Sequence, residues 1–244
     1  MSHPFLYPLL RTRLLPCFLL STFVLANLFF WTYIPQVLFL MLFHRKAGAW
    51  INGTFLVLSE GAAIIAILFE AFLIDETQVD AFDAILVDKG LEDLVAETRP
   101  IDPELTDPLK RLGKPRKSAV YAPFSFRQLV EFVILLPLNF IPVAGVPIFL
   151  LLTGYRGGPF HHWRYFKLLD LTKKERNVYI KRRQWSYTWF GTIALLLQLI
   201  PVANMFFLFT TACGASLWAA RLEEERRIRE AQIVDDSEYR DDVP

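Results

Sequence analysis

Four long apolar blocks separated by strongly polar segments organise this chain. Leu14–Phe43 holds 30 residues without a formal charge. Ala47–Ile74 follows the turn His44-Arg45-Lys46 and is interrupted by Glu60 and Glu70 alone. Phe132–Tyr155 holds 24 uncharged residues and Gln184–Ala220 holds 37. A bilayer core takes about 20 apolar helical residues, so each block is long enough to engage one. The first two blocks predict an antiparallel pair of long transmembrane helices, the first kinked at Pro35. A secretory leader has an apolar stretch of only about 7–15 residues, so the first block reads as a retained helix.

The third and fourth blocks do not read as single straight spans. Pro137, Pro142 and Pro147 interrupt the third, and each interior proline removes a hydrogen bond and crowds the preceding turn. The fourth, as one helix, would be about 55 Å long against about 30 Å of hydrocarbon. Both carry Ile-Pro-Val-Ala near their middle, at Ile141–Ala144 and Ile200–Ala203, followed by Gly145 and Asn204. The pattern predicts two helical hairpins broken at Pro142, Gly145 and Pro201, with the backbone freed at each break covered by protein. The expected fold is therefore an all-α membrane protein with two long transmembrane helices plus two proline-broken hairpins that re-enter the membrane. Four regions follow: an N-terminal tail and helix pair (1–74), an acidic then basic polar segment with short amphipathic helices (75–124), the two hairpins (125–220), and a charged helix ending in an acidic disordered tail (221–244).

Charge supplies the sidedness. Residues 75–107 carry eleven acidic side chains, and Phe82, Ile85, Leu86, Leu91, Leu94 and Val95 recur there at helical spacing. A basic cluster follows at Lys110, Arg111, Lys114, Arg116 and Lys117, and nine further bases lie between Arg156 and Arg183. If the third block is a hairpin, all of these share one side with the C-terminal bases, leaving the His44–Lys46 turn opposite. The positive-inside rule makes the crowded side the cytosol, with both termini there. A conventional multi-span bundle is the competing arrangement, and the first pair could itself be an embedded hairpin.

Candidate chemistry is sparse. Glu60, at the midpoint of the second block, is costly in lipid unless paired or protonated and is a candidate ion or proton site. Asn139, Gln198 and Asn204 flank the two breaks, where amides either cradle a small anion or satisfy backbone groups that the prolines release. His161, His162, Trp163, Arg164, Tyr165 and Lys167 interleave aromatics and bases as membrane-interface anchors do. Adjacent histidines without an acidic or cysteine partner make no metal site, and Cys17 and Cys213 imply no disulfide framework. No phosphate loop, catalytic triad or dinucleotide site is present, so neither an enzyme nor a cofactor is expected. The expected partner is a bilayer with anionic headgroups, with homo-oligomers or other membrane proteins compatible and nucleic acid not.

Two long helices, a polar segment and two proline-broken hairpins resemble the etoposide-induced/CysZ-like membrane family over roughly residues 10–220. Gly154–Lys167 (Gly-Tyr-Arg-Gly-Gly-Pro-Phe-His-His-Trp-Arg-Tyr-Phe-Lys) is similar to its fungal outer spore wall branch. The resemblance implies a protein of the endoplasmic reticulum and lipid droplets linked to spore wall assembly. The bacterial members imply the alternative, a permease for sulfate or a similar small anion.

Overall fold

The computed structural model describes residues 7–72, 75–114, 130, 133–200 and 203–241. Among them the chain is all-helical, and an isolated bridge between Ile101 and Leu112 forms in place of any sheet. Pro201, Arg116 and Lys117 lie outside the described residues, as do the side chains of Asn139 and Asn204.

Helices α1 (Tyr7–Trp31) and α2 (Tyr33–Leu40) meet at Thr32 with a bend of 50°. Pro35 has no N–H to offer Trp31, and its ring crowds that carbonyl, so the helix breaks there. Helix α3 (Lys46–Phe72) returns alongside. Among the described residues Lys46–Ile65 is one helix long and apolar enough to cross a membrane; the bent pair Phe18–Trp31 and Tyr33–Leu40 makes a second only if it is one span. At the connecting turn Asn52 Nδ2 donates to His44 Nε2 at 2.6 Å, and both residues are buried. That contact occupies the amide of Asn52, which begins an Asn-Gly-Thr sequence of the glycosylation type.

Helices α4 (Asp75–Asp88) and α5 (Glu92–Ala96) follow. The third apolar block folds as residues 133–135, a 3-10 helix (Leu136–Phe140), a turn at 141–144 and helix α6 (Gly145–Gly157). At the turn the Ala144 N–H donates to the Pro142 carbonyl at 2.7 Å, closing a three-residue turn around Val143. Val143 is left-handed (φ 64°) and 93% exposed. A β-branched residue is strained in that region. The strained position is Val143; Gly145 instead opens α6 and is buried.

A second 3-10 helix (Gly158–His162) continues α6 into α7 (Trp163–Leu168). Helix α8 (Lys173–Arg182) starts with a full capping box, Thr172 and Glu175 satisfying each other's backbone N–H. Helix α9 (Gln184–Gln198) ends just before the second Ile-Pro-Val-Ala, and α10 (Asn204–Asp241) starts just after it. Both copies of the tetrapeptide thus separate two helices. Helix α10 runs through Asp241, so the acidic tail is helical that far rather than disordered. Pairs four residues apart, such as Arg226–Glu230 and Arg227–Glu223, support its charged half.

Helix α6 lies backbone to backbone on helix α9. A Cβ at Gly154 would sit 2.1 Å from Thr192 Oγ1, and one at Gly158 would sit 2.0 Å from the Tyr187 carbonyl oxygen. The signal was in the sequence as Gly154-x-x-x-Gly158, the spacing that lets two membrane helices approach closely.

A polar-rimmed body closes the fold. Phe82, Leu86, Leu94 and Val95 from α4–α5, Tyr165, Phe166 and Leu168 from α7, Tyr187 from α9 and Ala215, Ala219 and Ala220 from α10 form one core. The exit of α3, the link between the hairpins and the exit of the second hairpin therefore converge in the same body.

Candidate functional sites

Helices α2 and α3 hold the first site. Glu60 is half-buried, and its Oε2 accepts from Gln36 Nε2 at 2.7 Å. The other amide atom, Gln36 Oε1, is buried and makes no hydrogen bond among the described residues. Sequence reasoning found Glu60 but not Gln36, which is 24 positions away and looks like any polar residue near a helix kink. Gln198 is half-buried at the end of α9, beside Leu199, which packs in a cluster with Ala62 and Phe149. That cluster carries the second break close to α3, two residues from Glu60.

The aromatic-basic segment reads differently in space. His162, Arg164 and Tyr165 are each 0% exposed, so these three are core residues and not headgroup anchors. Arg164 clamps Asp83 of α4 with a two-pronged contact, Nε to Oδ1 at 2.9 Å and Nη2 to Oδ2 at 2.7 Å. Arg99 reaches the same carboxylate at 3.1 Å and Asp80 at 2.8 Å, and also donates to the Gly113 carbonyl. Tyr165 donates its hydroxyl to the buried Glu223 of α10 at 3.2 Å. Burial drives the Glu223 pKa up, but hydrogen bonds from Arg226 and Arg227 more than offset it, leaving the group below the usual carboxylate value. His161 is half-buried against Phe190, while Lys167 stays exposed. The physical reason for the correction is partner availability. A guanidinium in a core is tolerable only when a carboxylate faces it, and Asp83 lies 81 positions earlier.

His162 knits three elements together. A carbonyl only accepts, so Nε2 carries the proton and donates to Ala215 O at 3.0 Å, while Nδ1 accepts from the Tyr187 hydroxyl at 3.0 Å. Burial pushes its pKa down from 6.5 to about 3. Below pH 6.5 the unfolded chain therefore binds a proton that the folded chain refuses, so stability falls as pH drops from 6.5 towards 3. The melting temperature is expected to fall between pH 7 and 5, and His162→Gln is expected to reduce that slope, with His161, which burial lowers to about 4, supplying a further part. An unchanged slope in the variant would remove His162 as its source.

The model of the family described as Sulfate transporter CysZ/Etoposide-induced protein 2.4 matches residues 3–208. The chain belongs to this family. The CysZ/etoposide-induced match takes in the span pair, α4–α9 and the start of α10, and makes the protein a helical membrane protein. No curated protein and no solved structure matches the chain.

Proposed function

We propose that this protein is a non-enzymatic integral membrane protein that passes a small oxyanion of the sulfate type. The observation that carries the reading is the Glu60–Gln36 pair between two apolar helices. An ionisable group in a span is a functional candidate because its desolvation must be compensated. As a carboxylate, Glu60 accepts from the amide N–H; as an acid it can donate to the unpartnered Gln36 Oε1. A proton carried there would offset the charge of an anion moving past, and the amides of Asn139, Gln198 and Asn204 would supply donors at the breaks. The sulfate transporter in the family's description supports this substrate class.

The proposed topology has α1–α2 and α3 crossing and both hairpins entering from the face of the shared body. Its support is the convergence of residues from 82–95, 162–168 and 215–223 in that body, since a stretch leaving and rejoining one face crosses an even number of times. The arms agree: α6 has 13 residues and α9 has 15, about 20 Å each, short of a core of about 30 Å. The basic residues crowd the same face, which makes it the cytosolic one under the positive-inside rule.

The test is sulfate uptake by purified protein in liposomes. Glu60→Gln is expected to slow uptake by roughly tenfold, about 1.4 kcal/mol on the barrier, with Asn204→Ala giving a smaller loss. A folded protein without flux would overturn the permease. A second reading, an endoplasmic reticulum or lipid-droplet protein linked to spore wall assembly, draws on the 50° bend, which lets α1–α3 sit as an embedded hairpin. A tag at Gly48 protected from protease in intact bilayers, with no droplet signal, would defeat the droplet form of that reading.

A further inference from the structure

A cavity of about 310 Å³ opens on the shared body between α5, α7 and α8, away from the span pair and the hairpin tips. Thr98, Trp163, Phe166, Lys167, Asp170 and Arg176 line it. Three of these have a hydrogen-bonding or charge-pairing capacity that the fold leaves unused. The Trp163 indole N–H is buried and makes no hydrogen bond among the described residues. A buried N–H without an acceptor costs about 1–3 kcal/mol, and an acceptor that reached it from the cavity would recover that penalty. Arg176 forms no ion pair among the described residues; its guanidinium lies over the Trp163 ring, 4.4 Å from the centroid, with the N–H groups at its edges available. Asp170, also outside any ion pair among the described residues, is held at the cavity by a left-handed turn (φ 47°) at the end of α7.

Arg164 does not decide the charge of this cavity, because Asp83 already clamps it. Arg176 faces Asp170 there, and the rest of α8 adds Lys173, Lys174, Lys181 and Arg182 against Glu175 alone. The field is positive, which suits an anion. A single carboxylate at the rim excludes a bare anion filling the whole cavity and instead asks for a donor next to it. Phe166 adds an apolar wall.

We infer that this cavity binds a phosphoester that carries a neighbouring hydroxyl. The phosphate oxygens would accept from the Trp163 N–H and Arg176, and the hydroxyl would donate to Asp170. Two sources have this chemistry, a phospholipid headgroup and a soluble sugar or polyol phosphate. The headgroup source is within reach because Trp163 lies six residues beyond the end of α6, the return arm of the first hairpin, and Tyr155 and Trp185 are exposed beside it. The site is separate from the Glu60 pair, so it stands or falls independently of anion transport.

The test is titration of the full-length protein in neutral detergent with glycerol 3-phosphate, dioctanoyl phosphatidylinositol and dioctanoyl phosphatidylcholine. Saturable binding of the first two is expected, weakened about tenfold or more by Arg176→Gln, which removes a charged donor, and by Trp163→Phe, which keeps the ring under Arg176 but removes the N–H. Lys89→Gln, on an exposed turn outside the cavity, is expected to bind as the unaltered protein does. Binding of the inositol lipid alone assigns the site to a headgroup, and binding of glycerol 3-phosphate alone assigns it to a soluble ester. The inference is overturned if neither binds, if phosphatidylcholine binds as tightly, or if both variants, folded by their melting curves, keep full affinity.

Discussion

Asp83→Ala is expected to cost about 3–5 kcal/mol of stability, because it takes the two-pronged carboxylate partner away from the buried guanidinium of Arg164. Asp83 and Arg164 are both 0% exposed, so water cannot replace the lost partner. Arg99 loses less, since it retains Asp80 at 2.8 Å and the Gly113 carbonyl. The damage is therefore specific to Arg164. Asp83→Leu combined with Arg164→Met is expected to recover much of the loss, the two substitutions together falling at least about 1 kcal/mol short of their sum. Thermal or denaturant unfolding in detergent reads both quantities. A single variant that loses under about 1 kcal/mol would show that the clamp does not hold α4 to α7.

Gly158→Ala is the second large effect, at about 3 kcal/mol, the upper end of the range for overpacking. The added Cβ would meet the Tyr187 carbonyl oxygen at 2.0 Å and its carbon at 2.6 Å. Both are backbone atoms, so no side-chain rotation relieves the clash and α6 must lift from α9. Its neighbour provides the control. A Cβ at Gly157 meets nothing within 4 Å, so Gly157→Ala is expected to be neutral or to stabilise by up to about 1 kcal/mol through helix propensity. Equal melting temperatures for the two variants would show that α6 and α9 do not cross at this distance. Separation of the two helices would also displace both breaks, so under the proposed permease function Gly158→Ala is expected to lower sulfate uptake as well.

Particular residues show how far the sequence could be read. Pro35 announced the break at Thr32 because a missing N–H and a ring clash act within one turn and need no partner. The two Ile-Pro-Val-Ala copies announced helix breaks for the same reason, although the left-handed strain fell on Val143 and not on Gly145. Glu60 stood out because a carboxylate is out of place in an apolar run, but nothing nearby in the chain pointed to Gln36. His162, Arg164 and Tyr165 misled because interleaved aromatics and bases have the same spelling at a membrane border and in a core that encloses an ion pair. Asp83 offered a faint signal, a charge inside the apolar run Phe82–Val87, where each neighbour from Ala81 to Val87 is buried.

What the sequence determined by itself was local: four apolar blocks, where their helices stop, and which segments are polar. These follow from backbone sterics and from the hydrophobicity of consecutive residues, both of which act over a few positions. Tertiary structure alone decided which polar residues are paired, which are exposed, and which segments share a body. Those outcomes depend on Asp83 meeting Arg164, on His162 meeting Ala215, and on Gly158 admitting the backbone of Tyr187. Burying a charge or a bare N–H is costly or harmless according to the partner that folding brings, and that partner is written far away in the chain.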